Sequence, residues 1–311
     1  VTTLPDTAAD YRRYLDPRTL AKLGSLELRA RAVIEGVMTG AHRSPLQGAS
    51  VEFDQHRPYV VGDDIRHVDW KVYLRNEKVY LKQFVEETNL QLILVVDASE
   101  SMGFGSIDVG LPGPWTKYDH ATSIAASLAY MAIQNADSVG LAIFDQQLAR
   151  YFKPSNSPTQ WKLVVNELQQ VPRWNKTGIG RILDQLAEKI THRSVIVLVS
   201  DCFDDIDSIQ KGLRHLRYKK HEAMVLQVLD RQEIEFPFED VTLFKGLEEL
   251  GDLLTEPRAL REGYLEQMKA HAEKLRKLCR GMNVDFTTFN TADPLDVALS
   301  EFLAQRMATM K

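Results

Sequence analysis

Cysteine is scarce in this chain, with Cys202 and Cys279 the only two in 311 residues. That rules out a disulfide framework and leaves both thiols as reduced, packing side chains. Long apolar runs are missing too. The longest, such as Leu90 to Val96, have the length of a strand, far short of the roughly 18–20 residues that span a bilayer. The opening Val1-Thr2-Thr3-Leu4-Pro5-Asp6 has no basic stretch followed by an apolar one, so it does not read as a signal peptide. A soluble, cytoplasmic chain with no membrane span is expected. Charge of one sign is also lacking. The net charge is −5, with 26% charged and 44% hydrophobic residues, which speaks against a nucleic-acid surface. Several catalytic signatures are absent: the G-x-S-x-G elbow, the G-x-x-x-x-G-K-[ST] phosphate loop and the helical H-E-x-x-H pair. Gly178-Ile179-Gly180 has no third glycine at dinucleotide spacing.

What is present is a change of rhythm along the chain. Leu20, Leu23, Leu26, Ala30, Val33, Ile34 and Val37 recur at helical spacing, which predicts a helix from about 17 to 40. Residues 41–88 are rich in Arg, His and Asp, with short strand-like pieces at 50–53 and 79–85. From Leu90 onward, near-continuous apolar strands alternate with helices. The strands are 91–96, 138–144, 148–152, 195–200, 223–229 and 284–289. The helices are 117–136, 158–170, 179–190, 206–218, 258–280 and one from about 293. This alternation predicts an α/β fold: a doubly wound, mostly parallel sheet with helices on both faces. The division expected is 1–88, a helix and motif segment packed on the main domain, and 89–311, the main domain. A hairpin insertion is expected at about 231–257, where Pro237, Gly246, Gly251 and Pro257 interrupt the pattern.

The first buried strand runs into Asp97-Ala98-Ser99-Glu100-Ser101. Ligands of open α/β sheets gather at the carboxyl ends of strands. Three oxygen side chains at i, i+2 and i+4 in a turn there can converge on a small cation. A second buried strand ends at Asp201, and Thr177 precedes Gly178 at a helix entrance. Asp97, Ser99, Ser101, Thr177 and Asp201 together offer hard oxygen donors, suited to Mg²⁺ or Mn²⁺ and not to zinc. The competing reading is that the hydroxyls cap a helix and the aspartates satisfy turn amides. Elsewhere, Asp63, Asp64, Arg66, Asp69 and Arg75 read as an ion-pair network fixing an irregular segment, with Trp70 expected to bury its ring. His42, His56 and His67 match no ligand spacing for a metallohydrolase. The basic residues of 258–280 read as a solvated helix face.

These residues carry a resemblance. The set Asp97, Ser99, Ser101, Thr177 and Asp201 resembles the metal-ion-dependent adhesion site of von Willebrand factor A domains. One departure is Cys202, where such domains often have glycine after the aspartate. The upstream stretches Gly40-Ala41-His42-Arg43-Ser44, Gly48-Ala49-Ser50-Val51-Glu52-Phe53, Arg57-Pro58-Tyr59 and Gly62-Asp63-Asp64-Ile65-Arg66-His67-Val68-Asp69-Trp70-Lys71 resemble the domain of unknown function 58 family. That family pairs such a segment with a von Willebrand factor A-like domain. The resemblance implies frequent company with MoxR-type AAA+ ATPases, and relatives that often carry membrane-spanning helices before the segment. The resulting expectation is a non-catalytic, divalent-cation-dependent protein-binding adaptor. Its partners would be a MoxR-type AAA+ ATPase and an acidic protein ligand that completes the metal coordination. The alternative is a metal-dependent phosphoesterase at the same strand ends, with Glu100 or Asp201 in acid–base roles.

Overall fold

The computed structural model describes residues 52–60, 69–76, 79–85, 90–107, 114–134, 136–170, 175–244, 253–293, 295, 298–299 and 301–302. They fall into two compact units, one within 35–89 and one within 90–311. The helix expected at 17–40 and the motif residues Asp63, Asp64, Arg66 and His67 lie outside the described residues.

The smaller unit is an antiparallel pair, β1 (Glu52–Pro58) and β2 (Tyr80–Val85), with helix α1 (Trp70–Asn76) between them in sequence. Asp69 starts that helix: its Oδ1 accepts the Val72 amide at 3.2 Å, as an N-cap should. Its own amide donates to the Tyr80 carbonyl. The expected burial of Trp70 is corrected here. The residue is 58% exposed, because its ring leans along its own helix, edge-on to Tyr73 one turn later.

The larger unit is built on six strands: β3 (Gln91–Asp97), β4 (Ser138–Phe144), β5 (Leu148–Ser155), β6 (Val195–Ser200), β7 (Glu222–Leu229) and β10 (Asp285–Asn290). Their order across the sheet is β10-β7-β6-β3-β4-β5. All neighbours are parallel except β5, which returns antiparallel along the β4 edge. The helices are α2 (Lys117–Gln134), α3 (Pro158–Leu168), α4 (Ile179–Lys189), α5 (Ile206–Tyr218), α6 (Arg231–Glu235) and α7 (Pro257–Gly281). Between α6 and α7 lies a short antiparallel pair, β8 (Thr242–Phe244) and β9 (Leu253–Thr255).

Strand side chains alternate faces, so a strand covered on both sides must be apolar throughout. Ile93 and Val95 of β3 pack in one cluster with Ile179, Ile182, Leu183 and Leu186 of α4, Ile209 and Leu213 of α5, and Leu275 and Cys279 of α7. Leu92, Leu94 and Val96 point the other way and are equally buried, on the side where α2 packs on the sheet. Helices thus cover both faces, and the fold class is the doubly wound α/β arrangement expected from the alternation. Contact between α4 and α5 depends on Gly180, where a Cβ would come within 2.4 Å of the Ser208 carbonyl oxygen.

This topology positions the site. From β3 the chain winds outward through β4 and β5, then crosses back to β6 and winds the other way through β7 and β10. The reversal falls between β3 and β6, which are hydrogen-bonded neighbours. At such a switch point the loops leaving the two strands diverge and open a crevice at their carboxyl ends. Asp97 closes β3, and Asp201 directly follows β6.

Candidate metal centre at the strand ends

Asp97 and Asp201 are both fully buried, yet they are held by different chemistry. Asp97 Oδ1 accepts the Ser99 amide at 2.9 Å. Its Oδ2 accepts the Ser200 hydroxyl at 2.6 Å and the Thr177 hydroxyl at 3.3 Å. The hydroxyls of Ser99 and Ser101 are 3.2 Å apart. Four of the expected residues, Asp97, Ser99, Ser101 and Thr177, therefore form one hydrogen-bonded cluster. Ser200 joins it, a residue with no signal in the sequence beyond its place beside Asp201.

Local structure explains the convergence. After β3 the chain takes a single 3-10 turn, Glu100–Gly103, which folds Ser99 and Ser101 back over Asp97. The Glu100 amide is anchored to the Asn175 carbonyl at 2.9 Å, which fixes that turn against the loop carrying Thr177. The Asn175 side chain is held in turn by Asp145 Oδ2 at 2.6 Å. Thr177 then leads into α4, whose first amide, on Ile179, is accepted by Asp204 Oδ2 at 2.8 Å. That carboxylate satisfies a donor which the helix itself leaves unpaired.

Asp201 is held otherwise. Its Oδ1 accepts the Phe203 amide at 3.1 Å. Its Oδ2 accepts from the Lys117 ammonium at 2.8 Å, and the same Nζ reaches Glu233 Oε1 at 2.6 Å. The Lys117 side chain is 0% exposed, and its ammonium lies over the Phe203 ring, 4.9 Å from the centroid. Glu233 is fixed by the capping box of α6: its Oε2 accepts the Asp230 amide at 2.9 Å, while Asp230 caps the helix from the other side. Lys117 is delivered by the 99–107 loop, since its amide donates to the Phe104 carbonyl. At Gly105 that loop passes so close to Trp115 that a Cβ would meet its carbonyl oxygen at 2.1 Å.

The electrostatics follow from these contacts. Burial, with the Asp201 charge added, pushes the Asp97 carboxyl up from 3.8 to about 7, against hydrogen bonds from Ser200 and Ser99 that favour the anion. Burial alone would lower Lys117, but Asp201 and Glu233 outweigh it and hold the ammonium above its ordinary value. Burial also raises Glu233, which Lys117 counteracts. The pocket thus holds three carboxylates, from Asp97, Asp201 and Glu233, against one ammonium. The shortage of positive charge falls on Asp97, beside the hydroxyls of Ser99, Ser101, Thr177 and Ser200. A small hard dication fits that place, since it prefers oxygen donors and supplies the missing charge. Asp97, Ser99, Ser101 and Thr177 would hold it. Among the described residues, no group of three or more His, Cys, Asp or Glu side chains is placed to hold a metal by itself, so a site here needs hydroxyls and water beside the Asp97 carboxylate.

Cys202 occupies the turn after Asp201 with φ of 60°. This left-handed conformation favours glycine, and here a cysteine adopts it. The thiol is buried in the core cluster with Cys279. Burial raises Cys202 far above the usual thiol range, reinforced by Asp201 and Asp97. Burial raises Cys279 to about 12. Both are inert packing groups. Of the histidines considered as ligands, His42 and His67 lie outside the described residues, and His56 is described in its backbone alone.

Fold and site together define a class: a doubly wound α/β domain with a carboxylate and hydroxyl cluster at its switch point. The family described as Protein of unknown function DUF58 matches residues 55–274, and the chain belongs to that family. It is 25% identical over 297 residues to an uncharacterized protein of Mycobacterium tuberculosis, covering 94% of this chain and 90% of that one. It is similar to the solved structure of the conserved hypothetical protein BatB from Bacteroides thetaiotaomicron, with 16% identity and a TM-score of 0.45, covering 71% of this chain and 99% of that one. It is also similar to the SpRpn10 VWA domain, with 10% identity and a TM-score of 0.39, covering 70% and 95%.

Proposed function

We propose that this chain is a non-catalytic adaptor that binds a protein partner through a Mg²⁺ or Mn²⁺ ion at Asp97, Ser99, Ser101 and Thr177. Asp201 supports the ion from the neighbouring strand end. The observation that carries this reading is the buried cluster itself: the four hydroxyls of Ser99, Ser101, Thr177 and Ser200 gathered around a carboxylate that has hydrogen-bond donors but too little positive charge around it. Neutral hydroxyl donors leave a bound ion electron-poor, so an acidic side chain of a partner is an effective further ligand. A polar depression of about 560 Å³ lies beside these loops, bordered by Ala98, Asp145, Gln147, Arg150, Glu167 and Asn175, next to the cluster and not lined by its ligands.

The partner proposed is a MoxR-type AAA+ ATPase, with the chain serving assembly or activation of other proteins. The test is direct binding of the purified chain to a MoxR-type ATPase from the same organism, in Mg²⁺ and in EDTA. Binding that needs Mg²⁺ and is lost in Asp97→Ala is the expected result. Equal binding in EDTA would refute cation dependence, and no binding in Mg²⁺ would refute the choice of partner.

A further inference from the structure

We infer that Lys117 is a tethered counter-cation that competes with the divalent ion for Asp201 and thereby weakens ion capture at the strand ends. The inference rests on the cation-binding reading above, and it assigns that site a residue outside the proposed ligand set.

Position makes Lys117 unusual. It is the first residue of α2, where the helix dipole disfavours a cation, and its side chain is fully buried. Removing an ammonium from water is costly. Buried ion pairs of this kind roughly break even against well-packed apolar residues, so stability alone does not account for one. What the lysine does is visible in its contacts. It reaches a carboxylate 84 residues away at the end of β6 and another 116 residues away in α6.

The consequence concerns Asp201. One of its oxygens faces the Phe203 amide and the other the Lys117 ammonium. A dication nearby, or a water bound to it, must share that second oxygen with an existing positive charge. Asp97, on the adjacent strand, carries no such competitor among its hydrogen-bond partners. Lys117 therefore subtracts from the charge offered to the ion on one side of the site, while closing the loops around it when no ion is bound. Glu233 moderates this effect. By accepting a hydrogen bond from the ammonium, it draws the lysine partly away from Asp201.

Two variants read this out with opposite signs. Lys117→Met combined with Glu233→Gln removes both charges, so Glu233 is not left without its cation, while Asp201 keeps its charge and the Phe203 amide and loses only the ammonium. Mn²⁺ alone is titrated into the 311-residue chain at fixed pH and salt, by calorimetry and by loss of the free Mn²⁺ electron paramagnetic resonance signal. The double variant is expected to bind Mn²⁺ about tenfold more tightly than the parent, the direction that Coulomb's law gives when the removed ammonium touches Asp201 and the removed carboxylate stands behind it. Glu233→Gln alone returns the ammonium to Asp201 and is expected to bind several-fold more weakly. A purely structural role for Lys117 would lower the melting temperature of both variants without moving affinity in opposite directions. If the double variant fails to fold, Lys117→Gln, which keeps a hydrogen-bond donor toward Asp201 without the charge, decides: tighter binding supports the inference, and unchanged or weaker binding overturns it. Parent-like affinity in a folded double variant overturns the role of Lys117 and leaves the cation site standing. Absence of Mn²⁺ binding in every chain overturns both.

Discussion

Asp97 and Asp201 end neighbouring parallel strands and are equally buried, but the fold treats them differently. Around Asp97 it gathers hydroxyls and an amide; against Asp201 it sets a lysine. A buried carboxylate needs its charge answered, or it takes up a proton. Asp201 is answered from within the chain by Lys117, and Asp97 has no cationic partner among its hydrogen bonds. On the proposed reading the first end is structural and the second receives the ion.

The largest effect should come from breaking the structural side. Lys117→Met alone leaves Asp201 and Glu233 buried without their cation, and should cost about 3–5 kcal/mol in urea unfolding. Asp97→Asn removes a charge that has no cationic partner to strand. Measured without divalent ions, it should change stability by no more than about 1 kcal/mol. Equal losses in the two variants would erase the contrast between the two strand ends.

The next effect is in pH. The Asp97 carboxyl stands at about 7 in the folded chain, against an ordinary 3.8. Between those values the native chain holds a proton that the unfolded chain has released. Stability without a cation should therefore fall as pH rises through that window and level off above about 7. A bound ion must displace the proton, so Mn²⁺ affinity should weaken about tenfold per pH unit below 7 and be flat above it. Calorimetry from pH 5.5 to 8.5 checks this, and a flat profile would show that Asp97 does not hold the ion.

The smallest effect sharpens the comparison at the turn after Asp201. Cys202 has φ of 60°, so Cys202→Gly should relieve strain of about 1 kcal/mol while losing the buried thiol's packing. The two terms oppose each other, and a net change within about 1 kcal/mol is expected. Cys202→Val adds a β-branched side chain in the same left-handed conformation and should be clearly worse than Cys202→Gly. Denaturant midpoints of the pair check the order.

The sequence made the fold class legible because each sheet strand covered on both faces must be apolar throughout, and each helix packed on one face must repeat at 3.6 residues. Ser138–Phe144, Val195–Ser200 and Ile206–Tyr218 therefore announce their own limits. Asp97 and the two serines were legible for a related reason: they share one short loop at the end of such a strand. Lys117 was not. Its partners are distant in sequence, and an ammonium at the start of an Ala-rich helix reads locally as a solvated residue. The capping role of Glu233 shows in Asp230-Arg231-Gln232-Glu233, but its reach to Lys117 depends on the strand order. Trp70 was misread because a large aromatic in a charged segment suggests an anchor, whereas its ring rests on its own helix.

The most direct test of the central claim is the melting temperature of the purified chain across a Mg²⁺ and Mn²⁺ titration, with Asp97→Ala alongside. A ligand that binds only the folded state raises apparent stability in proportion to the logarithm of its concentration above Kd. A rise in the parent chain that is absent in Asp97→Ala is the predicted result. The same rise in both chains, or none in either, would contradict a divalent-ion site built on Asp97.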